Sequence, residues 1–126
     1  MDKLVEEINR LELSMIRKVG GRVELMPPSM LSETIVKIAI YLSQLSGEIT
    51  NAELAFKHDR AAQFDTMLKE GTKRTVAETL VKFDKDLIQK EMNAERLRNF
   101  VKRTEGVITT TQTHIRVKTN EAAGNL

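Results

Sequence analysis

Cysteine and histidine, the usual nucleophile, general base and zinc ligand, are sparse in this chain of 126 residues. It has no cysteine, and its two histidines, His58 and His114, lie far apart in the sequence. Without thiolates there is no disulfide framework and no cysteine-type zinc site. Asp59 adjoins His58, but adjacent residues of a helix point in different directions. We therefore expect no metal, no cofactor and no enzymatic activity.

Phosphate-binding loops are also missing from the sequence. The glycines at 20–21 and 71 lack the strand-before-helix context that such a loop requires. Carboxylates are abundant, but they alternate with Lys and Arg, which is typical of solvated helix faces.

Basic residues carry the strongest remaining signal, because they cluster in two places. Between Arg96 and Lys118 there are six cations and one acid, Glu105, and a second set lies near a predicted bend. The candidate nucleic-acid-binding residues are Lys57, Arg60, Lys73, Arg74, Arg96, Arg98, Lys102, Arg103, Arg116 and Lys118. Such a set predicts salt-sensitive binding of a phosphate backbone without sequence preference. The alternative is a solvated face with a mild charge bias, since the net charge is only +2 and aromatic residues are few.

Two apolar stripes with heptad spacing must position these cations. The first comprises Leu31, Ile35, Ile38, Leu42, Leu45, Ile49, Ala52 and Phe56. The second comprises Val76, Leu80, Phe83, Leu87, Lys90, Ala94, Leu97, Val101, Thr104, Ile108, Thr111 and Ile115. Steps of four and three residues predict helices that pack along each other. The short turn at 70–74 makes the two helices antiparallel neighbours.

The ends of these helices have local signals of their own. A first helix over 2–19 is expected to end at Gly20-Gly21, with an extended connector through Pro27-Pro28. Ser29 or Ser32 would cap the second helix, and Thr75 with Glu78 would form a capping box on the return helix. Residues 106–114 are β-branched, so an extended conformation competes with helix there. We expect an N-terminal helix and connector over 1–28, a helical hairpin over 29–119 and a flexible tail over 120–126.

The predicted fold class is all-α: a long antiparallel, coiled-coil-like helical hairpin with a shorter N-terminal helix. Apolar residues beside the stripes, such as Val36, Ile40 and Phe100, predict a homo-oligomer that covers them. No signal peptide is evident, and no apolar run is long enough to span a membrane.

The layout resembles the UvsY-like recombination mediators of tailed bacteriophages. The resemblance rests on Pro-Pro-Ser-Met-Leu-Ser-Glu-Thr-Ile-Val-Lys-Ile-Ala (27–39), on Ala-Phe-Lys-His-Asp-Arg-Ala (55–61) and on Glu-Gly-Thr-Lys-Arg-Thr-Val-Ala-Glu (70–78). It implies that Lys57 and Arg60 contact single-stranded DNA, with Phe64 where the family has tyrosines. The spacing from Lys57 to Arg60 is one residue longer than in the family.

The resemblance implies a non-enzymatic mediator that binds single-stranded DNA and helps load a recombinase onto strands coated by single-strand-binding protein. Its partners would be DNA, these two proteins and further copies of itself, in the cytoplasm of an infected bacterium. Two alternatives stay open: a phage-encoded protein that inhibits or sequesters a host defence factor, and a structural assembly protein.

Overall fold

Helices dominate residues 1–124, which are the residues that this computed structural model describes. The elements are α1 (Asp2–Ser14), β1 (Ile16–Val19), β2 (Arg22–Leu25), α2 (Pro28–Lys69), α3 (Arg74–Lys82) and α4 (Lys85–Gly124). The structure is 84% helical, which confirms the all-α class. The chain divides into two compact units. Unit 1 contains residues 1–46 and the chain from Phe100 onward, and unit 2 contains Gly47–Asn99.

The first apolar stripe lies on α2 and is confirmed along its whole length. Leu31, Ile38, Leu45 and Ile49 have no exposed surface, Phe56 is also buried, and the remaining positions are buried or half-buried. Burying a side chain of this size stabilises a protein by about 1.5–3 kcal/mol. The helix therefore continues through Gly47, despite the helix propensity lost there.

Helix α4 packs antiparallel against α2, which confirms the helical hairpin. In unit 2, Arg98 Nε donates to Glu53 Oε1 at 2.7 Å, and Arg60 Nη2 donates to Glu91 Oε2 at 3.2 Å. Moving seven residues forward on α2 thus corresponds to moving seven residues back on α4. The second stripe is buried or half-buried from Leu87 to residue 115, except at Lys90.

The C-terminal part of α4 stays helical where an extended alternative was open. Residues 106–114 are helical, and the segment predicted as a tail is helical as far as Gly124. Asn125 and Leu126, the end of that predicted tail, lie outside the described residues. The predicted division into segments 1–28, 29–119 and 120–126 stays a prediction.

The start of the return helix was predicted wrongly, because the chain breaks between α3 and α4. Val76, Leu80 and Phe83 are 46%, 51% and 66% exposed, whereas Val81 is buried in their place. Asp84 explains the break, since its Oδ1 accepts a hydrogen bond from the backbone N–H of residue 87 at 3.0 Å and so caps a new helix. The predicted Thr75–Glu78 capping box is also wrong. Helix α3 begins at Arg74, and its N-cap residue is Lys73, two residues before Thr75, with no side-chain cap bond.

Residues 16–25 form a β-hairpin, so the predicted extension of the first helix to residue 19 is wrong. The connector after Gly21 is extended, but it is a strand paired with residues 16–19 and not a free spacer. Ile16 pairs with Leu25 and Val19 with Arg22, across a two-residue turn. Gly20 and Gly21 have φ values of 56° and 79°, and two positive φ angles in a row favour a tight hairpin turn.

The beginning of α2 also differs from the prediction. The helix begins at Pro28, one residue before the predicted Ser29. Proline suits the first position of a helix, because the N–H that it lacks would have no helical partner there. Neither Ser29 nor Ser32 therefore stands at the predicted capping position.

Removing the Asp84 cap should destabilise the junction between α3 and α4. We expect Asp84→Ala to lower the free energy of unfolding by about 1 kcal/mol, because the first turn of α4 loses a hydrogen-bond acceptor. Urea unfolding followed by circular dichroism measures this. Asp84→Asn keeps an acceptor and serves as the control, and an equal loss in both variants would contradict the capping role.

Thr104 offers a second stability test, because its side chain has no exposed surface and its hydroxyl has no hydrogen-bond partner within residues 1–124. Thr104→Val replaces the hydroxyl with a methyl group of similar size. We expect the free energy of unfolding to rise by about 1–2 kcal/mol, because the variant no longer buries a polar group without a partner. Thr111→Val is the control, since the Thr111 hydroxyl already donates to the Val107 carbonyl at 2.8 Å. A less stable Thr104→Val protein would refute this interpretation.

Candidate nucleic-acid interface

A groove in unit 2 brings two of the predicted cations together with an aromatic ring. Its volume is about 780 Å³, within the range of ligand sites. Helix α2 contributes Lys57, Arg60, Ala61 and Phe64; α3 contributes Glu78, Val81 and Lys82; and α4 contributes Glu91. We call this the Lys57 groove. It combines apolar and aromatic groups with cations at its edges.

Phe64 gives the Lys57 groove its aromatic surface. It is half-buried and packs against the core cluster of Phe56, Val81 and Leu87. This cluster fixes the position of the ring while part of it stays exposed. A held, partly exposed ring is suited to stacking with a planar group such as a nucleobase.

The cations of the groove differ in whether they form an ion pair with an acid. Lys57 and Lys82 are exposed and form no ion pair within residues 1–124. Arg60 pairs with Glu91 at 3.2 Å, and its guanidinium lies 4.5 Å from the centre of the Phe56 ring. Arg60 and Glu91 are about half exposed, and pairs of this kind are worth roughly 0–1 kcal/mol. A phosphate could therefore compete with Glu91 for Arg60.

The other predicted residues lie outside the Lys57 groove. In unit 2, Arg74 pairs with Glu78 at 3.4 Å, Arg96 donates to Asn93 Oδ1 at 2.8 Å, and Lys73 is exposed.

In unit 1, the four predicted cations of α4 are exposed. Lys118 pairs with Glu121 at 3.5 Å, and the Arg103 guanidinium lies 5.2 Å from the Phe100 ring centre. Lys102 and Arg116 have no ion pair among the described residues.

Arg98 makes two hydrogen bonds to side chains of α2. Besides its contact with Glu53, its Nη2 donates to Thr50 Oγ1 at 2.8 Å. It joins α4 to α2, and it is less exposed than most of the other cations in the predicted set. Its contacts therefore favour a structural role over a role in binding a ligand.

Sequence reasoning missed Lys82, although it completes the groove. The heptad pattern placed Leu80 and Phe83 on the buried face of one continuous helix. In the structure α3 ends before Asp84, and it buries Ala77 and Val81 rather than Leu80 and Phe83. Lys82 therefore lines the groove. An aspartate three residues before a buried leucine was the available signal for that break.

None of the helices within residues 1–124 is long and apolar enough to cross a membrane. In the same residues, no group of three or more histidine or acidic side chains is arranged to hold a metal ion.

The structural role of Arg98 can be measured directly. We expect Arg98→Ala to lower the free energy of unfolding by about 1 kcal/mol, because α2 and α4 lose a charge-assisted contact. A double-mutant cycle with Glu53→Ala should give a coupling of about 0.2–1 kcal/mol, as is usual for partly exposed pairs. Arg96→Ala is the matched control, since its hydrogen bond stays within α4. Equal stability of the two arginine variants would show that the contact between Arg98 and Glu53 contributes nothing.

Comparisons with protein families, with curated proteins and with solved structures gave no match. The resemblance to phage recombination mediators therefore stays a prediction.

Proposed function

We propose that this protein is a non-enzymatic recombination mediator that binds single-stranded DNA in the Lys57 groove. One observation carries the DNA-binding part of this proposal: Phe64 is half-buried in a groove that also contains Lys57, Arg60 and Lys82. Cations along the phosphate backbone and an aromatic ring against a base are the two features that sequence-independent single-strand binding needs.

Single strands fit this arrangement better than a duplex does. A single strand leaves the flat faces of its bases open, so that a base can stack on Phe64 while neighbouring phosphates lie near Lys57 and Lys82. In a duplex the same faces are already stacked on each other. A base stacked on an aromatic side chain contributes about 1–3 kcal/mol, which is more than a surface ion pair.

The mediator role rests on further support. Exposed apolar side chains lie on all the long elements, including Val36, Ile40, Leu54, Leu80 and Met92, and such side chains suit contacts with other proteins. We propose that some of them join copies of this chain into a homo-oligomer, and that others contact a recombinase or single-strand-binding protein. The order of helix, short turn and return helix agrees with the layout of the phage mediators.

A second candidate function is the inhibition or sequestration of a host protein. It is favoured by α3, which exposes Val76, Leu80 and Phe83 along one side of a short helix. Residues spaced i, i+4 and i+7 on a helix are typical anchors for a groove on a partner. A stoichiometric complex with one host protein, formed without affinity for DNA, would favour this function over the mediator.

Removing the two unpaired cations of the groove should weaken DNA binding. We expect Lys57→Ala/Lys82→Ala to lower affinity for a fluorescent single-stranded oligonucleotide. The slope of log K against log salt should fall by about 1.4, because each lost phosphate contact removes about 0.7. Lys69→Ala/Lys85→Ala is the control, since it changes the net charge equally with exposed residues that neither line the groove nor belong to the predicted DNA contacts. Unchanged affinity in the groove variant, or an equal loss in the control, would refute the site.

A gain-of-function variant tests the same groove from the opposite direction. Glu91→Gln should raise affinity, because it removes a negative charge and releases Arg60 for a phosphate. Glu95→Gln changes the same charge on α4 outside the groove and should raise affinity less. Equal gains would mean that only net charge matters, which would count against the groove. Light scattering on each variant checks whether the mass of the particle has changed.

A further inference from the structure

The β-hairpin of residues 16–25 is a basic and exposed ribbon in unit 1. All eight strand residues are exposed. The ribbon carries Arg17, Lys18 and Arg22 against one acid, Glu24, so its formal charge is +2, equal to that of the whole chain. Ten residues thus hold as much net positive charge as all 126.

The three cations of the ribbon are not neutralised by acids. None of them forms an ion pair within residues 1–124, although Glu24 stands opposite Arg17 in the strand register. Arg17 Nη2 instead lies 3.3 Å from the Met30 sulfur. Some cations elsewhere in the chain, such as Arg10, Arg60, Lys90 and Arg98, do form ion pairs with acids. The positive charge of the ribbon is therefore available to an anionic partner.

The tip of the ribbon allows close approach to that partner. Gly20 and Gly21 have no side chains, and a Cβ built on either would meet nothing within 4 Å. The tip is therefore open backbone, with Lys18 and Arg22 close to it in sequence on either side. A two-stranded ribbon of this kind is narrow enough to enter the major groove of DNA.

A second groove adjoins the ribbon and adds another cation. Leu25, at the end of β2, lines it together with Arg103, Gly106, Thr110 and His114 of α4, in a volume of about 520 Å³. Arg103 is exposed, has no ion pair among the described residues, and lies over the Phe100 ring. The groove lies on the face of the ribbon that Leu25 shares with Lys18, and Arg103 adds a positive charge to it.

We propose that the β-hairpin and the adjoining α4 groove form a second nucleic-acid-binding surface, which contacts phosphates through Lys18 and Arg103 on one side of the ribbon and through Arg22 on the other. This surface lies in unit 1 and shares no residue with the Lys57 groove of unit 2, so it goes beyond the proposed function. It binds without sequence preference, because its contacts are to phosphates rather than to base edges.

A second copy of the chain is a poorer fit to the ribbon than nucleic acid is. Pairing two hairpins edge to edge would bring three cations of each copy close together with only one acid apiece. Lysines and arginines on edge strands are a common means by which proteins prevent such pairing. The charge of the ribbon therefore opposes self-association and attracts polyanions.

The test compares two double variants that each remove two positive charges from unit 1. Lys18→Gln/Arg22→Gln alters the ribbon, and Lys3→Gln/Lys37→Gln alters exposed lysines of α1 and α2 as the control. Binding is measured for the full chain with labelled 30-nucleotide single strands and 30-base-pair duplexes over a range of salt. Circular dichroism and light scattering confirm that helix content and particle mass are unchanged.

We expect the ribbon variant to bind on the order of tenfold more weakly in 0.1 M salt, while the control stays close to the wild type. The salt slope of the ribbon variant should fall by about 1.4 on single strands or about 1.8 on duplexes. Equal losses in both variants, or unchanged binding with a changed mass for the ribbon variant, would overturn the proposal. If the ribbon variant loses affinity and the Lys57/Lys82 variant does not, the result supports the ribbon surface and refutes the Lys57 groove. If only the Lys57/Lys82 variant loses affinity, the ribbon proposal is refuted and the proposed function is unaffected.

Discussion

The apolar contact between α2 and α4 is the constraint on which the rest of the structure depends. Within each unit the two helices bury one narrow stripe, and the large aliphatic residues of α2 supply much of it. A stripe covers a minor part of a helix surface, so the remaining faces stay in contact with water. Those faces can carry charge at little cost, which explains how a chain with 30% charged residues still buries an apolar stripe in each unit. The proposed DNA contacts are made by cations on these solvated faces.

The sequence was a good guide to the core and a poor guide to the points where helices begin and end. The α2 stripe was predictable because every heptad position from Leu31 to Phe56 is apolar. Between Val76 and Phe83 the heptad spacing continued, but a local signal overrode it: Asp84 caps a new helix, and the turn that precedes it rotates α3 so that Val81 is buried. A periodic pattern specifies which residues of a helix share a face. It does not specify whether the helix is continuous.

The β-hairpin shows the same competition between periodicity and local chemistry. Leu4, Ile8, Leu11 and Met15 have helical spacing, and that spacing continues as far as Val19. The pair Gly20-Gly21 can either end a helix or make a two-residue turn, and the β-branched residues on both sides favour the turn. The cations of the ribbon were missed for this reason, because residues of a connector are not expected to share a surface. The cations at 57 and 60 were found because they lie inside a helix whose limits were nearly right.

The partners of the cations could not be read from the sequence, since they lie far away along the chain. Glu53 and Arg98 are 45 residues apart, and Arg60 and Glu91 are 31 apart.

Lys90 occupies a stripe position on α4, where it contacts Asp86 at 3.2 Å and Asp59 of α2 at 3.5 Å. The hydrogen bond that Lys90 donates to Asp86, followed by the negative charges of Asp86 and Asp59, raises the pKa of Lys90 above its usual 10.5. Because the pKa is raised in the folded state, the stabilising contribution is complete at neutral pH. It is lost only as the pH rises through that raised value.

These pairs divide the cations into two groups with different uses. Arg60, Lys90 and Arg98 each form an ion pair with an acid on the other long helix. Lys57, Lys82 and the cations of the ribbon have no acid partner within residues 1–124, although Arg17 of the ribbon contacts the Met30 sulfur on α2. Arg98 serves the fold, since its contact with Glu53 joins α4 to α2 and is the least exposed of these pairs. The half-exposed pair of Arg60 and Glu91 contributes only about 0–1 kcal/mol, so Arg60 can exchange Glu91 for a phosphate at little cost. Lys57 and Lys82 can bind a phosphate without breaking any ion pair.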